Sequence, residues 1–105
     1  MNAGSLRHRF VIKTAQEIEN TFGEIVETPL TFATVWASIE PLSGRELFQA
    51  QQVQAEVTHR VRMRYLAGVT AKMTGLFGTR EFQILSVINP EERNRELVLM
   101  CKEQV

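Results

Sequence analysis

The chain has 105 residues, with 12 basic and 12 acidic side chains and a formal net charge of zero. This length provides for one hydrophobic core but not for two, so we expect a single domain over residues 1–105. A neutral chain argues against a dedicated nucleic-acid-binding domain, because such domains are usually strongly basic. No apolar run approaches the roughly 20 residues that cross a membrane, and "MNAGSLRHRF" lacks the apolar region of a signal peptide. The single cysteine, Cys101, fits a reducing compartment.

The charges are unevenly distributed along the sequence. Residues 14–44 contain five acids and no base, whereas residues 57–80 contain five bases and no acid. If these segments form neighbouring strands, their charges neutralise each other within one subunit. If they lie on opposite flanks, they can meet between subunits, and a head-to-tail contact of this kind closes into a ring when the rotation permits. The sequence leaves both interpretations open. The acids are Glu17, Glu19, Glu24, Glu27 and Glu40, and the bases are Arg60, Arg62, Arg64, Lys72 and Arg80.

The first part of the chain predicts a hairpin. "HRFVIK" (residues 8–13) alternates apolar and polar side chains with a period of two, which is typical of a half-buried strand. "QEIENTFGE" (residues 16–24) is polar and contains Asn and Gly, so it predicts a turn or a long hairpin tip. Pro29 cannot donate to a sheet ladder, and residues 25–28 are therefore at best an edge strand.

"TFATVWASIE" (residues 31–40) predicts a strand with apolar side chains on both faces. We therefore expect something to cover each face. Trp36 has two interpretations that the sequence does not separate. It can pack under a neighbouring helix, or it can anchor an interface, where tryptophan is enriched.

The segment "LSGRELFQAQQV" changes to a helical period. Ser43 is a candidate N-cap, and Glu46 follows three residues later, flanked by Leu42 and Leu47. This pattern predicts a capping box with a hydrophobic staple and a short helix over residues 43–52. Four glutamines interrupt its apolar face, so we expect a surface helix.

The remaining segments predict further strands. "EVTHRVRMRY" places Arg60, Arg62 and Arg64 on one face. "KMTGLFGTREFQILSVI" predicts two strands around Gly78-Thr79, "NPEERN" a turn, and "RELVLMCK" (residues 95–102) a central strand. Together these elements predict a mainly β fold, a compact antiparallel β-barrel or sandwich of about six strands with one short α-helix between central strands.

No residue pattern predicts catalysis, a cofactor site or a metal site. A nucleophile needs a base and an orienting group, and the lone Cys101 in an apolar strand has neither. Ser43 is explained as a helix cap, and His8 and His59 as partly buried, hydrogen-bonded side chains. Binding remains, because the three arginines of the cationic strand can pair with cross-strand glutamates or contact phosphate.

Four segments together resemble the head–tail adaptor, or head-closure, proteins of long-tailed bacteriophages. They are "AGSLRHRFVI", "VWASIEPLSGREL", "THRVRMRY" with a following Gly, and "FQILSVINPEERNREL". The resemblance covers residues 3–103. It implies a structural virion protein and no enzyme: a β-barrel that assembles as a ring beneath the portal and its adaptor, helps to retain packaged DNA and provides the surface on which the tail docks.

The resemblance also implies partners and a location. The partners are further copies of the chain (a ring formed alone or only on the connector), the portal or adaptor protein, a tail or tail-completion protein, and packaged DNA contacted at most non-specifically. It implies no cofactor and no membrane. The chain would be made in the bacterial host cytoplasm and reside at the virion head–tail junction.

Two sets of candidate residues follow. In some relatives a segment between two barrel strands plugs the channel, and by position residues 41–56 are the candidate here. The alternative to the virion role is a small nucleic-acid-binding β-barrel that uses the arginine strand. The candidate plug side chains are Ser43, Arg45, Gln49, Gln51, Gln52 and Gln54, and the candidate interface or DNA-facing side chains are Arg60, Arg62, Arg64, Trp36, Glu24 and Glu27.

Overall fold

The computed structural model describes residues 6–104, so the first residues of "AGSLRHRFVI" and residue 105 lie outside the described part. Six antiparallel strands form a closed barrel in the order β1-β2-β3-β6-β5-β4, which confirms the predicted mainly β fold and selects the barrel over the sandwich. One short helix joins β2 to β3. The elements are β1 His8–Glu19, β2 Ile25–Pro41, α1 Gly44–Val53, β3 His59–Arg64, β4 Thr74–Phe77, β5 Arg80–Ile88, a 3-10 turn Pro90–Glu92 and β6 Glu96–Gln104.

The core is built by the alternating side chains of β1, β2, β3, β5 and β6, whereas the buried residue of β4 is Gly75. Alternation along each strand places one set of side chains inside the barrel. Cys101 belongs to this set, and burial raises the pKa of its thiol to about 12, so the thiol is a packing group. The buried apolar side chains of the strands are Phe10, Ile12, Ala37, Val61, Met63, Phe82, Ile84, Leu97, Leu99 and Cys101.

Strands β1 and β2 continue beyond the barrel as a two-stranded hairpin arm, residues 14–30. β4 pairs with β1 only at residues 11–13, and β3 pairs with β2 only at residues 37–41. Residues 14–19 therefore pair only with residues 25–30. Six paired residues at ~3.3 Å each give a projection of roughly 20 Å. This length accounts for the elongated dimensions of 50 × 28 × 28 Å.

The predicted turn over residues 16–24 is too long. Strand pairing runs as far as Glu19 opposite Ile25, and the turn itself is short. The Asn20 side-chain oxygen accepts hydrogen bonds from the backbone N–H groups of Phe22 (2.9 Å) and Glu24 (3.0 Å). Gly23 adopts φ +80°, a conformation that glycine reaches without strain. The edge-strand prediction for residues 25–28 is confirmed, because the outer side of β2 has no partner there.

Two other predicted connections are confirmed. Gly78 and Thr79 form the two-residue turn between Phe77 and Arg80, which are paired. Asn89 and Asn94 close the following turn through a side-chain hydrogen bond of 2.7 Å. Within residues 6–104, no helix has the length and apolar content needed to cross a membrane.

Barrel closure creates a testable constraint at Gly75. This glycine lies opposite Ile12 in the short β1–β4 ladder. A Cβ at this position would lie 1.9 Å from the ring of Phe10, which is fully buried in the core, so the ring or the backbone would have to shift. We expect Gly75→Ala to destabilise the protein by about 1–3 kcal/mol in urea unfolding, because the core becomes overpacked.

The matched control is Gly75→Ala combined with Phe10→Leu. The smaller side chain should recover part of the lost stability, although Phe10→Leu alone is destabilising. An unchanged or higher stability of Gly75→Ala would contradict the steric explanation, since alanine is otherwise better than glycine inside a strand.

Candidate interaction surfaces

Arg60 joins β2, β3 and the helix on the outside of the barrel. It lies directly opposite Glu40 in the β2–β3 ladder, and its Nη2 donates to Glu40 Oε2 at 2.8 Å. Its Nη1 donates to Glu46 of the helix. The hydrogen bond to Glu40 raises the pKa of Arg60, and the same bond lowers the pKa of Glu40. Arg60 therefore acts as a clamp that holds α1 to the barrel.

The same contact changes how the helix begins. Ser43 occupies the N-cap position with extended backbone angles (φ −149°, ψ 161°), as predicted, but its side chain makes no capping hydrogen bond. Glu46 pairs with Arg60. The predicted capping box is therefore wrong, because the Glu46 carboxylate is engaged by the guanidinium of Arg60 and does not bond to the backbone at the helix start.

The helix presents nearly all of its polar side chains to solvent. None of its residues is buried, and Phe48 and Val53 are also exposed. Its C-terminal half is tied down by Gln51, whose Nε2 donates to the carbonyl oxygen of Val57 at 3.2 Å. Of the other candidate plug side chains, Gln54 is half-buried, and the exposed ones are Ser43, Arg45, Gln49 and Gln52.

A second surface, the Trp36 wall, consists of Arg9, Trp36, Arg62 and Arg64 on the outside of β1, β2 and β3. Trp36 is paired with Arg9 on β1 and is 52% exposed. The Arg9 guanidinium lies over the indole ring, 4.7 Å from its centroid. Packing of Trp36 under the helix is therefore wrong, and the described residues 6–104 leave its side chain half-exposed.

The arginines of β3 differ in how far they are neutralised. Arg60 is neutralised by the two glutamates of the clamp through Nη1 and Nη2, although its buried Nε has no hydrogen-bond partner in the described chain. Arg62 Nε lies 4.0 Å from Glu40 Oε1, and this nitrogen has no hydrogen-bond partner in the described chain. Arg64 is exposed and forms no ion pair within residues 6–104, although the register places it opposite Glu96. The cationic character of this strand face is therefore concentrated at Arg62 and Arg64.

The hairpin arm has two chemically different faces. On one face Glu17 lies directly opposite Glu27, and Glu19 lies opposite Ile25. The other face carries apolar side chains that are each between two-fifths and one-half exposed. These are Ile18, Val26 and Leu30.

The arm glutamates have no ion pair among the described residues, unlike Glu40 of the same acidic segment. Lys13 and Lys72 line a shallow cavity together with Glu27 at the base of the arm, without forming an ion pair with it. Glu24 lies in the turn and is exposed. Of the acidic segment, only Glu40 is thus neutralised by a basic residue of the same chain among the described residues, and the arm glutamates keep their negative charge unpaired.

A polar cluster on β3, β5 and β6 was not predicted. His59 Nδ1 lies 2.9 Å from Thr58 Oγ1, and its ring contacts Phe82 edge-on at 5.2 Å. Burial lowers the pKa of His59. Arg80 Nε donates to Glu103 at 2.7 Å. The partly buried, hydrogen-bonded role expected for His59 is confirmed, and its partners come from distant segments that no local pattern connects.

These contacts define a class of protein. The side chains with distinctive chemistry lie on outer surfaces: the clamp and helix, the Trp36 wall and the hairpin arm. Within residues 6–104 no three His, Cys, Asp or Glu side chains lie close enough together to hold a metal ion. Arginine and tryptophan are enriched at protein interfaces, so the class that these features indicate is a small β-barrel with candidate interaction surfaces on its outside.

Comparison with known proteins identifies the family. The model of the family described as "Phage head completion protein" matches residues 1–104. Head completion protein gp7 of Enterobacteria phage HK97 is 30% identical, and the alignment covers 97% of this chain and 96% of that protein. The chain therefore belongs to the phage head completion protein family, and its role is structural.

Two solved structures share the fold. The solution structure of protein SF1141 from Shigella flexneri 2a matches with a TM-score of 0.83 and 29% identity, covering 100% of this chain and 98% of that one. A chain from the virion of a native gene transfer agent particle matches with a TM-score of 0.62 and 17% identity, covering 95% and 96%. The second likeness shows the fold alone.

The clamp predicts that Arg60 stabilises the helix in particular. We expect Arg60→Ala to reduce stability by about 1–3 kcal/mol, because Glu40 and Glu46 lose a charged hydrogen-bond donor. Hydrogen exchange should accelerate most in residues 44–53. Arg64→Ala, on the same strand face but without an ion pair in the described chain, is the control and should change stability by less than about 0.5 kcal/mol. Equal exchange in both variants would exclude the clamp.

The lowered pKa of Glu40 predicts a pH dependence. A carboxylate whose folded pKa is lowered stabilises the folded state above its ordinary pKa of about 4.3, and this contribution is lost as pH falls through the folded pKa. The difference in unfolding free energy between wild type and Glu40→Gln should therefore shrink from pH 6 to pH 3. The lowered pKa values of His59 and Glu103 also make the folded state less stable as pH falls. These contributions are present in both proteins and therefore cancel in the difference. A difference that stays constant with pH would contradict the assignment.

Proposed function

We propose that the chain forms a ring at the head–tail junction of a phage particle. There it closes the filled head beneath the portal or adaptor protein, helps to retain packaged DNA and provides the surface on which the tail docks. The observation that carries the proposal is family membership over residues 1–104, that is, over nearly the whole chain. The whole chain acts as one head–tail joining domain, is made in the host cytoplasm and has no enzymatic activity.

The distribution of exposed elements supports a joining role. β2 carries the hairpin arm at its start and leads into the helix at its end, so these two elements lie at opposite ends of the barrel. A protein that joins two larger assemblies needs two different binding surfaces that face apart. We propose that one end meets the head side and the other the tail side.

The segment of residues 41–56 is the proposed channel-facing element. Its polar side chains suit contact with water and DNA, and the clamp at Arg60 and the bond from Gln51 to Val57 hold it against the barrel in the free chain. Contact with DNA would be non-specific, because the exposed polar side chains of the helix are mostly uncharged amides.

The alternative of a nucleic-acid-binding barrel receives less support. Arg60 is already paired with two glutamates, which leaves Arg62 and Arg64 for phosphate contacts. Two such contacts give only weak, salt-sensitive binding.

Deletion of the gene in the encoding phage or prophage tests the proposed function. We expect filled heads that lose DNA and free tails that do not attach, both visible by electron microscopy and DNase sensitivity, with joining restored by the wild-type chain. DNA retention and tail attachment are scored separately, because the plug segment concerns only the former. Tailed, infectious particles at the wild-type level without this chain would exclude the proposal. Tight DNA binding by the isolated chain that is lost with Arg62 and Arg64 would favour the alternative.

A further inference from the structure

The acidic face of the hairpin arm is poorly matched within its own chain. Glu17 and Glu27 lie directly opposite each other, and like charges at such positions destabilise a strand pair. Beside them Ile25 is 71% exposed. A surface that supplies cations and an apolar contact together would relieve both features.

The Trp36 wall supplies that combination. Arg62 and Arg64 provide positive charge, and the half-exposed indole of Trp36, held by Arg9, provides a flat apolar surface. Tryptophan and arginine are the residue types that most often carry the binding energy of an interface. The wall is therefore complementary to the arm in charge and in apolar contact.

The arm cannot reach the wall of its own chain. Trp36 lies on β2, the same strand that forms one side of the arm, and this strand continues from Ile25 to Pro41 with one register shift in its pairing with β1, between Ile12 and Lys13. Folding the arm back would break the paired residues of β1 and β2. The contact must therefore join two copies of the chain.

We propose that the acidic face of the hairpin arm of one copy docks on the Trp36 wall of the next copy. This contact is heterologous, since it joins two different patches, and it repeats from copy to copy until a ring closes. It rests on the ring in the proposed function and identifies the surfaces that hold the ring together. It also explains why the acidic and basic segments of a neutral chain are kept apart.

Docking of two arms on each other is the main alternative between copies. The arm has free strand edges, which can pair with another strand. Such pairing would bring the unpaired glutamates of two arms together, and like charges across an interface cost several kcal/mol. Charge complementarity therefore favours the arm–wall contact.

Site-specific crosslinking in assembled particles tests the contact. The chain carrying both Glu27→Cys and Arg64→Cys is supplied to the deletion phage, and particles are treated with a short bismaleimide. Cys101 is buried with a raised thiol pKa, so only the introduced cysteines should react. Glu17 and Arg62 remain to hold the contact. We expect a ladder of covalent oligomers.

Three controls define the arrangement. Each single variant should give no ladder, because arm does not meet arm and wall does not meet wall. Ile18→Cys with Arg64→Cys should also give none, since Ile18 lies on the opposite face of the arm.

In a parallel assay, Arg64→Glu should lower the yield of tailed particles about tenfold. Glu17→Lys with Glu27→Lys should restore it, and Arg93→Glu, on a distant turn, should have no effect.

The outcomes separate this inference from the proposed function. Particles that contain the double variant and join tails but give no ladder would overturn the arm–wall contact and leave the joining role intact. Crosslinks from Glu27→Cys to another phage protein, or between two arms, would overturn the arm–wall contact and identify the surface that the arm binds instead. Normal tailed particles formed without the chain would overturn the joining role itself.

Discussion

The short ladder between β1 and β4 is the constraint on which the rest of the structure depends. It consists of three residue pairs, at residues 11–13 of β1, and it turns a curved sheet into a closed barrel. Gly75 lies in this ladder because the ring of Phe10 occupies the space where a side chain would be. Closure removes the exposed edges of the sheet and encloses the core. Because β4 is only four residues long, its pairing with β1 ends at Lys13. The part of β1 beyond Lys13 therefore extends out of the barrel.

The hairpin arm follows from that mismatch in strand length. β1 and β2 have 12 and 17 residues, and their outer halves have no other strand to pair with. On the outer surface of the barrel, β2 and β3 lie side by side and match Arg60 with Glu40. In the arm the only cross-strand neighbours are the two arm strands themselves, and they place glutamate opposite glutamate. In the proposed arm–wall contact, the wall of the next copy would supply the opposite charges that no neighbouring strand of the same chain supplies to the arm.

The sequence predicted what depends on local periodicity and failed where distant residues compete. The alternation in "HRFVIK" and "THRVRMR" identified strands and their inward faces, because side-chain direction alternates along any strand. The choice of barrel over sandwich depended on β1 meeting β4, which no local pattern encodes.

The helix began where predicted, but Glu46 was bound by an arginine 14 residues away and not by the helix start. The sequence does not determine the exposure of Trp36, because that depends on which element covers its face. It predicts a turn over residues 16–24 where the arm strands continue, because polar strands lack an alternating apolar signal. The family was recognised because its motifs lie in the barrel strands and the helix start.

β2 connects the hairpin arm, the Trp36 wall and the clamp, and it fixes their relative positions. It begins in the arm, passes Trp36 on the wall, and reaches Glu40 of the clamp just before the helix. Pairing with β1 along the first part and with β3 along the last part keeps it in one geometry. Binding surfaces on such rigid elements are held more accurately than surfaces on loops. In the proposed ring, each copy would therefore present its arm to a neighbour and its helix to the channel in a fixed relation. The position of the plug segment would then be set by the same strand that joins the subunits, and not by the flexibility of a linker.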